Sequence, residues 1–137
     1  MNYLDTVNAQ LRIDEGVRFK PYRDSVGKLT IGVGRNLDDV GLRPDEINYL
    51  LANDMRIAEN TAVVLFPAFA GLSDNRKAVL INMAFNLGQD RLSKFKRFRD
   101  AIESENFALA SSEMLDSAWS TQVGNRAERL AKLIREG

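Results

Sequence analysis

Apolar residues recur at three- and four-residue intervals through most of the chain and alternate in short runs only near its beginning. Tyr3, Leu4, Val7 and Leu11 predict a helix over residues 3–14, with Glu15 at its exit and Gly16 placed as a left-handed stop. Between Gly16 and Leu37 the short segments are punctuated by Pro21, Gly27, Gly32 and Gly34, a pattern that predicts a small antiparallel sheet with tight turns. Helical spacing returns at Pro44. Proline is tolerated in a first turn, Asp45 and Glu46 suit its positive end, and Ile47, Leu50, Leu51, Met55 and Ala58 carry the pattern to about Val64.

Ser73 reads as the N-cap of a strongly apolar helix through Val79, Leu80, Met83, Ala84 and Leu87, with Gly88 as its stop. Three further helices are expected: one from about Ser93 with Phe95, Phe98 and Ile102, one after Asn106, and one from Asn125 through Leu130, Leu133 and Ile134. No repeat or low-complexity linker interrupts them. The pattern therefore predicts an α+β domain, mostly helical, with a small N-terminal antiparallel β-sheet and a cleft between sheet and helical body. At 137 residues one domain is expected, with about residues 1–64 forming a helix, a hairpin lobe and a connecting helix, and about 65–137 a helical lobe.

Composition narrows the chemistry. Nineteen basic and nineteen acidic residues cancel, so no overall field draws nucleic acid or an anionic membrane, and neither is expected as a partner. Local basic stretches occur at Lys94, Lys96, Arg97 and Arg99 and at Arg126, Arg129, Lys132 and Arg135, where solvated helix faces are the plain expectation. The first sixteen residues hold no continuous apolar run, so neither signal peptide nor membrane anchor is expected. Cysteine and histidine are both absent, which removes disulfides, the usual zinc ligands and imidazole-dependent nucleophiles. No metal or cofactor is expected, and carboxylates are the strongest acid–base groups left.

The informative segment is LRIDEGVRFKPYRDSVGKLTIGVGRNL, residues 11–37, which sets a helix-terminal acid (Glu15), a loop acid (Asp24) and a strand hydroxyl (Thr30) on neighbouring short elements. A carboxyl at a helix C-terminus lies at the negative end of the dipole, which suits a group that must hold a proton. Taken singly, each residue has a plainer reading: an exposed acid at a frayed end, an aspartate bonding its own turn, and a β-branched strand former.

The string as a whole closely resembles the catalytic segment of the T-even phage lysozyme family of glycoside hydrolases: LRIDEG, the step from Tyr22 to Asp24, and TIGVG occur in the family's order. INMAFNLG at 81–88, Trp119 and NRAER at 125–129 resemble that family's C-terminal lobe, so the likeness spans most of the chain. The resemblance implies a catalytic triad of Glu15, Asp24 and Thr30, with Arg126 approaching Glu15 and with Phe85 and Asn86 lining the sugar cleft. On spacing alone, Phe85 and Met83 read as core and Arg126 as a surface cation at a helix start. Two departures matter. Arg35 stands where the best-known members have histidine, and an ion pair with an acid such as Asp54 is one possible substitute. Phe98 and Glu113 fall where members place polar sugar-contacting groups, which makes them further candidates for substrate contact.

The activity so implied is hydrolysis of the β-1,4 bond between N-acetylmuramic acid and N-acetylglucosamine in peptidoglycan by an inverting single displacement, Glu15 protonating the leaving oxygen while Asp24 and Thr30 activate water. The alternatives are a lytic transglycosylase, which needs one acid, and a catalytically silent wall-binding module. The family further implies an endolysin, monomeric, made in the host cytoplasm without a signal peptide or stable membrane association, and reaching the periplasmic wall through a separately made holin lesion.

Overall fold

A computed structural model describes residues 1–137. The elements follow in the order α1 (Tyr3–Glu15), β1 (Arg18–Arg23), β2 (Leu29–Gly32), β3 (Arg35–Asn36), α2 (Pro44–Leu65), a single 3-10 turn (Phe69–Gly71), α3 (Asp74–Ser93), α4 (Lys96–Glu103), α5 (Phe107–Leu115), α6 (Ala118–Val123) and α7 (Asn125–Glu136). They form two compact units, Met1–Tyr49 and Leu50–Gly137, divided inside α2. The α+β class stands, with one small antiparallel sheet near the N-terminus of a mainly helical chain.

In the first unit, α1 starts on a capping box. Asn2 Oδ1 accepts from the amides of Leu4 and Asp5, and Asp5 Oδ2 accepts from the amide of Asn2. The helix ends where Gly16 takes φ 77°, its amide donating to the Arg12 carbonyl. The sheet has the order β1-β2-β3, with Tyr22 opposite Thr30, Arg23 opposite Leu29, and Thr30 opposite Asn36. Pro21 is tolerated because β1 is an edge strand and its register slips between Arg18 and Tyr22. No residue of α1 is buried, so its apolar positions shape the helix without making a core within this unit.

The second unit holds the hydrophobic core. Val79, Leu80, Met83 and Ala84 of α3 are buried with Phe98 and Ile102 of α4, Met114 of α5, and Leu130 and Ile134 of α7. Phe66 and Phe98 meet edge to face at 5.9 Å between centroids. Ser73 and Asn106 cap α3 and α5 as their positions suggest, each side chain accepting an amide from the first turn. Gly88 breaks α3 with φ 77°, as expected of a stop, yet the chain re-enters helix and continues to Ser93. The continuation buries Leu92 completely, which offsets the break. Four helices follow α3 where three were expected. The additional one, α6, spans six residues, starts on a Ser117 cap and buries Trp119.

Candidate active site

Glu15 is the last residue of α1, and the left-handed Gly16 turns the chain away immediately after it. Its side chain lies against Gly34 in the turn between β2 and β3. A methyl group on Gly34 would stand 2.9 Å from Glu15 Oε2 and 3.0 Å from its Cδ, and Gly34 itself has φ +68°. Glycine is thus required there twice, for backbone conformation and for room beside the carboxylate.

Asp24 closes the turn from β1 to β2. Its Oδ1 accepts from the amides of Val26 (3.0 Å) and Lys28 (2.8 Å), while its own amide donates to the Lys28 carbonyl (2.9 Å). These bonds fix the carboxylate and leave Oδ2 outside the turn's network. The neighbouring Lys28 ammonium is drawn to Asp39 at 3.1 Å, and this hydrogen bond raises its pKa. Thr30 is 3% exposed, and its hydroxyl donates to the Lys28 carbonyl at 2.9 Å. With its proton so committed, Thr30 Oγ1 presents only lone pairs to anything else. By ladder parity Tyr22, Asp24, Lys28 and Thr30 share one sheet face, and Asp24 and Thr30 are diagonal neighbours, about 7–8 Å apart along the backbone. The rung of Asp24 and the turn holding Gly34 are separated by four strand residues, about 13 Å.

Arg35 pairs with Glu46, an acid of its own unit. Nη2 lies 2.6 Å from Glu46 Oε2, and Nη1 donates to Oε1 (2.7 Å) and to the Gly41 carbonyl (3.1 Å). Glu46 also reaches back to the Arg43 amide at 2.9 Å, the N-terminal half of a capping box for α2. The Arg35 hydrogen bond and that amide hold the Glu46 carboxyl down to about 2. Arg35 is therefore a brace between β3 and the first turn of α2, occupied by protein on its fork of donors.

The other candidates belong to the second unit. Phe85 is 48% exposed and stands between two cavities of about 440 Å³ each, one shared with Asp54 and Ile57, the other with Met55, Asn82 and Arg126. Its expected core role on spacing alone is thus overturned, whereas Met83 is fully buried. Arg126 begins α7 and is held by Asn82, whose Oδ1 accepts from Nε (3.0 Å) and Nη2 (2.6 Å). Asn86 is exposed, and its Oδ1 accepts from Trp119 Nε1 at 2.8 Å. Glu113 is half-buried beside Lys94, Lys96 and Arg97 on a surface pocket of about 290 Å³. Phe98 must be corrected as a substrate contact. It is 1% exposed because its ring fills the core against Phe66.

The sequence marked Gly34 only as a turn residue and Glu46 only as a first-turn acid, and it did not single out Asn82 or the bond that fixes Asn86. Glu46 had a local signal, since it lies three residues after Arg43, the residue that precedes α2; the others depend on contacts between segments far apart in the chain. No group of three or more acidic side chains is placed to hold a metal ion.

The sequence profile of the phage lysozyme family matches residues 12–135. Among curated proteins, the chain is 28% identical to "Probable T4-type lysozyme 2" of Dictyostelium discoideum over 98% of this chain and 96% of that protein. It is 26% identical to "Probable T4-type lysozyme 1" of the same organism with the same coverage. It is also 28% identical to "Pre-baseplate central spike protein Gp5" of Enterobacteria phage T4, over 93% of this chain and 27% of that protein.

Proposed function

This chain belongs to the phage lysozyme family, and from that membership we propose that it cuts the β-1,4 bond between N-acetylmuramic acid and N-acetylglucosamine by an inverting single displacement. At family level it is a glycoside hydrolase of lysozyme type acting on peptidoglycan. Glu15 donates the proton to the leaving oxygen. Asp24 takes one proton from the attacking water through Oδ2, and Thr30 Oγ1, whose own proton is held by the Lys28 carbonyl, accepts a hydrogen bond from the water's second O–H, which remains on the new anomeric hydroxyl. A water that donates to both oxygens has its lone pair turned toward the anomeric carbon.

The observation that carries this reading is the placing of two carboxylates at opposite ends of β2, with a buried threonine hydroxyl between them. Inversion needs separations of about 6.5–9.5 Å to admit water, whereas about 5–5.5 Å would favour a covalent glycosyl intermediate. Anchors about 13 Å apart along β2 suit the longer range. The near-complete burial of Thr30 fits contact with a single water better than contact with a sugar ring.

The test is turnover of purified peptidoglycan by Glu15→Gln and Asp24→Asn. Each is expected to lose at least about a hundredfold in kcat, the lower end of what a positioned acid or base supplies. Asp24→Asn with full activity and anhydro-ended products would identify a transglycosylase, and binding without turnover by the unaltered chain would identify a wall-binding module. In this reading the enzyme is a monomeric endolysin that reaches the periplasmic wall through a holin lesion. No helix is long and apolar enough to cross a membrane.

A further inference from the structure

Asp24 stands between two cations. Arg23 precedes it at the end of β1, and Lys28 faces it across the hairpin, joined by the bond from the Asp24 amide to the Lys28 carbonyl. Facing side chains of a ladder start about 5 Å apart, and a four-carbon lysine stem covers that gap, so the Lys28 ammonium is within reach of Asp24 Oδ2. It is found elsewhere, 3.1 Å from Asp39 Oδ1, while the Arg23 guanidinium leans toward Asp38, 3.7 Å from Oδ2. Each cation beside the catalytic carboxylate is thus met by one member of an acid pair that follows β3. Asp39 is itself fixed: its Oδ2 accepts from Asn36 Nδ2 at 3.0 Å, its amide donates to Asn36 Oδ1 at 2.9 Å, and Asn36 is the ladder partner of Thr30.

We infer that Asp39 is a positioning residue that holds the Lys28 ammonium away from Asp24, so that Asp24 Oδ2 stays open for the attacking water. The inference rests on the hydrolytic reading, in which Asp24 is the base, and adds the residue that guards it. An ammonium on Oδ2 would take the lone pairs that water needs and would stabilise the carboxylate against accepting a proton. The other charged and titratable groups around Asp24 do not replace Asp39. Tyr22 carries the Arg18 guanidinium 5.1 Å over its ring, Arg23 also donates to the Gly27 carbonyl, and Asp38 Oδ2 is committed to the Leu29 amide. The Lys28 pKa is raised chiefly by the hydrogen bond and charge of Asp39, with smaller contributions from Asp38 and Asp24, so loss of Asp39 leaves Asp24 competing for the ammonium. With the Lys28 and Asp39 side chains 42% and 55% exposed, their pair adds little to folding, and its consequence lies in where the ammonium is kept.

The test is the pH profile of kcat on purified peptidoglycan for the full chain carrying Asp39→Asn, Lys28→Met, or both. In Asp39→Asn the ammonium is expected to transfer to Asp24 and lower kcat about fivefold near neutral pH, the scale of an exposed ion pair. The acidic limb should move about half a unit toward lower pH, because a carboxylate paired with a cation takes up a proton less readily. Asparagine keeps an acceptor for Asn36, so Tm should change little. In the Lys28→Met background the same Asp39→Asn change is expected to alter neither kcat nor the limb, a dependence that a structural role alone would not produce. Carboxyl-carbon nuclear magnetic resonance gives a readout free of turnover: the midpoint of Asp24 should fall in Asp39→Asn, and Asp39→Asn should leave it unmoved once Lys28→Met is present.

Asp39→Asn with kcat and acidic limb unchanged, or with a loss equally large in the Lys28→Met background, overturns the inference. Asp24→Asn separates it from the hydrolytic reading, because an inactive Asp24→Asn beside a fully active Asp39→Asn removes the guard and keeps hydrolysis. If the unaltered chain never cleaves peptidoglycan, hydrolysis falls and the Asp24 titration decides alone. A midpoint that falls in Asp39→Asn only when Lys28 is present then supports the guard, and an unmoved midpoint refutes it.

Discussion

Replacing Gly34 by alanine tests whether the turn between β2 and β3 sets the position of Glu15. The added methyl meets two separate obstacles. Alanine at φ +68° costs about 1–2 kcal/mol in backbone conformation. The new Cβ would also lie 2.9 Å from Glu15 Oε2 and 3.0 Å from Cδ, where ordinary contact begins at 3.4 Å, so the carboxylate must retreat by about half an ångström. Misplacement of a reacting group by about 1 Å can cost about a hundredfold in rate, so a tenfold fall in kcat is the expected scale for Gly34→Ala. The control is Gly41→Ala, with the same φ of +68° and nothing nearer than 3.9 Å. Both variants should lose stability alike, roughly 3–8 °C in Tm, and only Gly34→Ala should lose turnover measured on peptidoglycan well below the transition. Equal kcat in the two variants, or additive losses in a Gly34→Ala/Glu15→Gln double variant, would refute this positioning.

Three further outcomes are expected. Glu46 has its carboxyl held to about 2 by Arg35, below the unfolded value near 4.3, so its contribution to stability is complete above about pH 4.3 and fades as pH falls toward 2. Acid titration of Tm should show a smaller loss over that window in Glu46→Gln, and an unchanged acid limb would dismiss the brace. Arg76 donates to the carbonyls of Ile134 and Arg135 and lies 3.5 Å over the Phe107 ring. Arg76→Ala should therefore destabilise by about 1–3 kcal/mol in denaturant melts with turnover retained. Phe98→Ala should cost about 3–5 kcal/mol with KM unchanged below the melting range, as for a core ring rather than a sugar contact.

Where a signal is local, the sequence was a sufficient guide. Gly16 at the end of α1, the glycine-marked hairpins, Pro44 at the start of α2, and the caps at Ser73 and Asn106 all act within one or two turns of themselves. Their physics needs no distant partner. Continuation of α3 beyond Gly88 was not legible, because only the burial of Leu92 repays the break and burial depends on helices still to come in the chain. Site side chains divide in the same way. Placement of Asp24 follows from turn chemistry, while the choice of Glu46 for Arg35, of Asn82 for Arg126 and of Asn86 for Trp119 depends on segments 11 to 44 residues apart meeting in the fold. Asn86 lies near the far end of that scale, 33 residues from Trp119. Phe98 shows the reverse error, since a position matched to polar sugar contacts in relatives carries here a ring that the core absorbs.

The most direct measurement is the configuration of the reducing end freed when the unaltered enzyme digests purified peptidoglycan, followed by nuclear magnetic resonance before mutarotation, with the new oxygen traced from labelled water. Attack by a water held between Asp24 and Thr30, opposite the proton donor Glu15, is expected to give first the α-anomer of N-acetylmuramic acid bearing one labelled oxygen. An initial β-anomer, or an anhydro end without label, would contradict it.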